Sequence, residues 1–150
     1  MKHTYNLLLS IFLMACGNSV DSSENSSGSI FTQDYSPSEI TGTWNVTMTC
    51  TYSDCEKTRN PGDIVSENWN VSYVNSEILV KVVGGENTSS EYTGQLNQDK
   101  LELKNKDRRG KTDVNLKIKS STNMRGTRER FNSNGHNGPC SIKYEIEVTR

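Results

Sequence analysis

The chain has 150 residues, 31% of them hydrophobic, and carries 17 Lys and Arg against 18 Asp and Glu for a net charge of −1. Setting aside the apolar N-terminal segment leaves about 110 residues beyond a polar stretch, enough for one domain and not for two. The apolar fraction of that remainder is roughly a quarter, which excludes a thick hydrophobic core.

Lys2 and His3 give a basic start, and Leu7 to Met14 form a short apolar run. Such a run cannot cross the ~30 Å hydrocarbon core, which takes about 20 residues. A basic-then-apolar segment ending at a small residue instead reads as an export signal over residues 1–15. Leu13-Met14-Ala15-Cys16 resembles a bacterial lipobox, with Met14 departing from the small or β-branched residue usual there. The resemblance implies cleavage before Cys16 and lipidation of Cys16 with several acyl chains, palmitate among them. Each buried CH₂ contributes roughly 0.8 kcal/mol, so two or more chains anchor stably. Gly17 stands where an aspartate would imply inner-membrane retention in enterobacterial lipoproteins, so the expected location is the cell envelope, on the outer membrane.

Residues 16–38 are rich in Ser and Asn and hold little apolar material to offset the entropy of ordering. They read as a flexible tether. From 39 to 150 the pattern has period two, which predicts strands and no amphipathic helix. Trp44, Val46, Met48, Cys50 and Tyr52 alternate with Asn and Thr, and a loop around Asn60-Pro61-Gly62 follows. Trp69, Val71 and Tyr73 mark a second strand. After Asn75-Ser76, Ile78, Val80 and Val82 mark a third, and Gly84-Gly85 ends it. A weaker strand runs from Tyr92 to Leu96. Leu101 and Leu103 lie on the next, and Val114, Leu116 and Ile118 follow a turn at 107–110. Met124 to Phe131 is less regular. A loop over 132–139 precedes Ile142, Tyr144, Ile146 and Val148.

About eight short strands, each with one apolar face and joined by polar turns, predict an all-β domain. Curling into a closed up-and-down antiparallel barrel buries every apolar face at once, and is favoured over a two-sheet sandwich.

Gly42-Thr43-Trp44 opens the first strand, and this Gly-x-Trp resembles the start of lipocalins and related calycins. The resemblance implies that Trp44 plugs one end of the barrel, with Arg150 at the end of the last strand packing over its ring. A cation–π contact there would contribute about 0.5–2 kcal/mol. Antiparallel pairing of first and last strands would also bring Cys50 or Cys55 toward Cys140. With Cys16 lipidated, three cysteines leave one disulfide and one thiol. Cys55–Cys140 is the preferred pair because Cys55 lies just past the strand; Cys50–Cys140 and a local Cys50–Cys55 bridge remain open. The shorter length, without a C-terminal helix, argues against a large enclosed cavity.

No catalytic constellation emerges. His136, the only histidine left after the signal, sits in an Asn- and Gly-rich loop, and no Cys-x-x-Cys, His-x-x-x-His or Gly-x-Ser-x-Gly pattern occurs. The chain is therefore not expected to be an enzyme, to hold a metal or cofactor, or, as an exported protein, to bind nucleic acid. Charge is strongly segregated. Residues 17–99 hold 3 Lys and Arg against 12 Asp and Glu, whereas residues 100–130 hold 11 against 4. Within the basic segment Lys104, Lys106, Arg108, Arg109, Lys117 and Lys119 are expected to face outward. With Arg125, Arg128 and Arg130 on the next strand, they suggest a basic wall for an anionic surface. The expected function is a lipocalin-like binding barrel for a small apolar ligand, with Met48, Tyr52, Tyr73 and Tyr144 at its mouth. The alternative is a protein-interaction or inhibitor module, working through the basic face or the 53–66 and 132–139 loops.

Overall fold

The computed structural model describes residues 33–55, 59–85, 90–107, 110–135 and 138–150. Cys16, the export segment, Arg108, Arg109 and His136 lie outside the described residues. Eight strands follow one another in chain order: β1 Gly42–Ser53, β2 Ile64–Val74, β3 Glu77–Gly84, β4 Glu91–Asn97, β5 Lys100–Asp107, β6 Gly110–Ser120, β7 Asn123–Gly135 and β8 Gly138–Thr149. Each pairs antiparallel with its neighbours, and β1 pairs with β8, so the sheet closes as a barrel. Closure leaves no free edge. It also gives a low-apolar sequence an economical core, because one interior serves all eight strands. The alternation read from sequence becomes an inside–outside alternation: Trp44, Val46, Met48 and Cys50 are buried, while the residues between them are exposed.

Curling so small a barrel brings strands into close contact. A side chain at Gly126 would run into the backbone oxygen of Asn115, and one at Gly94 into that of Glu102. Glycine at these points lets β6–β7 and β4–β5 bend past one another.

One pole of the barrel is plugged by a short helix, α1 Pro37–Ile40. Ser36-Pro37-Ser38-Glu39 reads as polar linker, yet it is helix-start chemistry: Pro37 occupies the first turn, and Glu39 accepts from the Ser36 N–H at 2.7 Å and from its hydroxyl at 2.9 Å. The helix delivers Ile40, fully buried, to the pole, where its carbonyl accepts from the Trp44 indole at 2.8 Å. Tyr35 is buried as well. The folded domain thus begins at least four residues before the boundary expected at 39, and its described residues include one short helix.

At the other pole Cys55 and Cys140 form a disulfide across 85 residues of chain. In the chain-entropy account a loop of that length is worth about 4.6 kcal/mol. Cys50 remains a buried thiol.

Candidate ligand site at the disulfide end of the barrel

The half of the barrel nearer Trp44 is filled with apolar side chains, among them Trp44, Ile78, Leu101 and Met124 at 1% exposure or less. The half nearer the disulfide is different. Glu67 occupies an inward position of β2 between Val65 and Trp69, and Arg128 an inward position of β7. Their side chains are 0% and 3% exposed, and Arg128 Nη1 lies 3.2 Å from Glu67 Oε1. The same Nη1 donates to the thioether of Met48 at 3.0 Å, and the Trp69 indole donates to Glu67 Oε2 at 3.0 Å. The Arg128 guanidinium lies 5.7 Å from the Tyr92 ring centroid and 5.8 Å from that of Tyr144. Arg128 Nε is buried without a hydrogen-bond partner.

Two further arginines converge here. Arg130 follows Arg128 on the inward phase of β7, in register with buried Thr112 and Ile142, and its Nε donates to Asn132 Oδ1 at 3.0 Å. Arg59, in the loop after β1, hydrogen-bonds the Tyr144 hydroxyl. The positive field is felt by the phenols. Burial pushes Tyr92 and Tyr144 above the ordinary tyrosine range; Arg128 opposes this at both, and Arg59 opposes it at Tyr144.

Burying an ion pair seldom adds net stability, because desolvation offsets the Coulombic gain. A core meant only for packing would place apolar groups at 67 and 128. The arrangement instead holds a buried guanidinium beside two aromatic rings with its Nε–H unpartnered.

Of the four residues expected at a ligand mouth, Met48 and Tyr144 meet here. Tyr52 does not: a bulge between Cys50 and Tyr52 puts it opposite outward Lys143, and it is 46% exposed with its hydroxyl on Asp54. Tyr73 keeps the inward phase but ends β2, which runs antiparallel to β1 and so finishes at the Trp44 pole. There it lies with Pro37, Ile78 and Leu96 around a cleft of about 160 Å³. Trp44 and Arg150 meet at that same pole, with the guanidinium 4.1 Å from the ring centroid.

The outward lysines are exposed as expected at Lys104, Lys117 and Lys119, whereas the Lys106 side chain, like Arg108 and Arg109, lies outside what is described. Their strands do not form a uniform basic wall. Lys104 stands in register with Asp113, Lys117 lies 3.2 Å from Asp99, and Arg125 lies 2.6 Å from Glu147. Arg128 and Arg130 turn inward, away from that face. Asp54, Cys55 and Cys140 are close enough to hold a cation between them, but the two sulfurs are bonded to each other and offer no thiolate.

The inward charges had a readable signal that reasoning from apolar alternation passes over. A Glu between Val65 and Trp69, and an Arg in phase with Met124, are charged residues on the buried phase of their strands.

No family model matches the chain, and no curated protein sequence does. Solved structures with a similar course of chain include a redesigned β-barrel, 17% identical over 78% of this chain and 96% of its own, with a TM-score of 0.44. EF1p2_mFAP2b bound to DFHBI is 14% identical over 75% and 95%, with a TM-score of 0.46. The monomer form of the M. tuberculosis PknI sensor domain is 12% identical over 73% and 86%, with a TM-score of 0.43.

Proposed function

We propose that this protein is a lipid-anchored protein of the bacterial envelope whose barrel binds a small ligand at its disulfide end and catalyses no reaction. The observation that carries the binding reading is the buried guanidinium of Arg128, held among Tyr92, Tyr144 and Met48 with Nε unpartnered. A buried donor left unpaired costs about 1–3 kcal/mol, a cost that a ligand oxygen would remove. The anchor rests on Leu13-Met14-Ala15-Cys16 and on the tether-like composition after it. Tyr35 and α1, the first described part of the chain, lie at the Trp44 pole, opposite the disulfide end.

Two measurements on the full chain test this. Metabolic labelling with palmitate should mark the wild type and not Cys16→Ser, which should also leave the membrane fraction; an unlabelled wild type removes the anchor. Native mass spectrometry of the detergent-extracted chain should show a small-molecule adduct that Arg128→Gln loses. An adduct-free protein that also fails to bind small molecules in solution removes the binding reading.

A further inference from the structure

We infer that the site selects a compact carboxylate, received side-on by Arg128 and by Arg130; this rests on the binding reading above and gives its ligand a chemical class. A guanidinium presents a planar fork to a carboxylate through Nε–H and the neighbouring Nη–H. At Arg128 the opposite corner, Nη1, is already spent on Glu67 Oε1 and the Met48 sulfur, while Nε is buried and unpartnered. The side edge of the guanidinium is therefore the one left for a ligand.

Arg130 lies two residues on along the same inward phase and is oriented by Asn132. The field of Arg130 reaches Tyr92, as that of Arg128 does, so both charges act on one chamber. Glu67 is the one carboxylate facing Arg128 from the packed strands among the described residues, and it is held in place by the Trp69 indole. An incoming anion thus meets the guanidiniums of Arg128, half-neutralised by Glu67, and of Arg130, with Arg59 beside them on the Tyr144 hydroxyl.

Size follows from the packing below. Trp69 and Val80, toward the Trp44 pole, are fully buried, and this packed interior favours a short ligand over one with a long acyl tail. The walls that remain are the Tyr92 and Tyr144 rings. A short acid with a planar or small apolar body fits that chemistry, and its carboxylate would lie where Arg128 Nε lacks an acceptor.

The test uses the detergent-extracted full chain, titrated with benzoate, neutral benzamide and inorganic phosphate. It is read by calorimetry and by tryptophan fluorescence, to which Trp69 reports. Benzoate should bind saturably, at least tenfold tighter than benzamide or phosphate. Arg130→Gln should weaken benzoate about tenfold without changing benzamide. Glu67→Gln, which removes the competing anion from Arg128, should tighten benzoate severalfold, an opposite shift that damaged packing would not produce. Phosphate binding as tightly as benzoate overturns the carboxylate assignment. Benzamide matching benzoate, with Arg130→Gln indifferent, overturns anion selection while leaving ligand binding intact. If none of the three binds and no adduct co-purifies, the binding reading falls together with it.

Discussion

Arg150 lays its guanidinium 4.1 Å from the centroid of the Trp44 ring and donates from Nη2 to the carbonyls of Thr41 and Glu39, at 2.7 and 3.1 Å. One side chain at the end of the chain therefore fastens three things: the start of β1, the end of α1, and the plug they make together. An exposed cation–π contact is worth about 0.5–1 kcal/mol, and a charge-assisted hydrogen bond adds more. Arg150→Ala should lower unfolding free energy by about 1–2 kcal/mol, and Arg150→Lys by less, because an ammonium keeps the charge but loses the fork. Urea midpoints check this, with the far-ultraviolet spectrum unchanged. A midpoint identical to wild type would mean that α1 holds the plug unaided.

The strand count and the antiparallel closure were legible because they follow from residue phase, whereas the plugged pole at Trp44 was what the lipocalin resemblance of Gly42-Thr43-Trp44 implied. A Trp on the inward phase at the start of β1 and an Arg at the end of β8 must meet if the ring closes. What phase cannot reveal is height along the barrel. Tyr73 has the right phase and the wrong pole. Tyr52 would have had both, but a bulge rotated it outward. The charged pair was missed for a different reason. Glu67 and Arg128 are 61 residues apart, and nothing local in either strand announces the other. Helix α1 was hidden by composition, since the Ser, Pro and Glu that cap a helix also make up linkers.

The Glu67–Arg128 pair has a characteristic signature in stability. Removing one partner leaves an uncompensated charge inside the barrel, which costs about 3–5 kcal/mol. Glu67→Leu alone should therefore be strongly destabilising, and Arg128→Met similarly so. The double variant should recover most of the loss, because two apolar groups of comparable volume need no partner. Chemical denaturation of all four proteins measures the coupling. If the single losses simply add in the double variant, the two groups do not share an interaction.

The β2–β3 turn holds a correctable strain. Asn75 and Ser76 both have positive φ, 52° and 67°. This is the backbone of a two-residue type I′ hairpin, which Asn-Gly satisfies best. Asn tolerates the left-handed region; a Ser there bears a Cβ penalty of about 1–2 kcal/mol. Glycine removes that penalty and gives part of it back as unfolded-chain entropy. Ser76→Gly should therefore stabilise the domain by about 0.5–1 kcal/mol, seen as a rise in Tm. The turn lies at the Trp44 pole, away from the charged chamber, so ligand binding should be unaffected. A fall in Tm would show that Ser76 contributes through its side chain.

Alkaline stability should report on the chamber itself. Burial raises Tyr92 above the ordinary phenol range of about 10, with Arg128 opposing the shift. The folded state therefore holds this proton more tightly than the unfolded chain. Below pH 10 both states keep it, and the contribution to stability is constant. As pH climbs from 10 through the raised native value, only the unfolded chain ionises freely, and that stability is lost. Tyr144 is shifted the same way, so part of the loss will persist when Tyr92 is replaced. Comparing the wild type with Tyr92→Phe between pH 9 and 12 isolates one phenol, since lysine titration is common to both. The wild-type curve should fall more steeply, with tyrosinate absorbance lagging behind that of the unfolded chain. Parallel curves would mean that Tyr92 ionises in place, stabilised by Arg128 strongly enough to cancel its burial, and the chamber would then be more positive than its one buried carboxylate suggests.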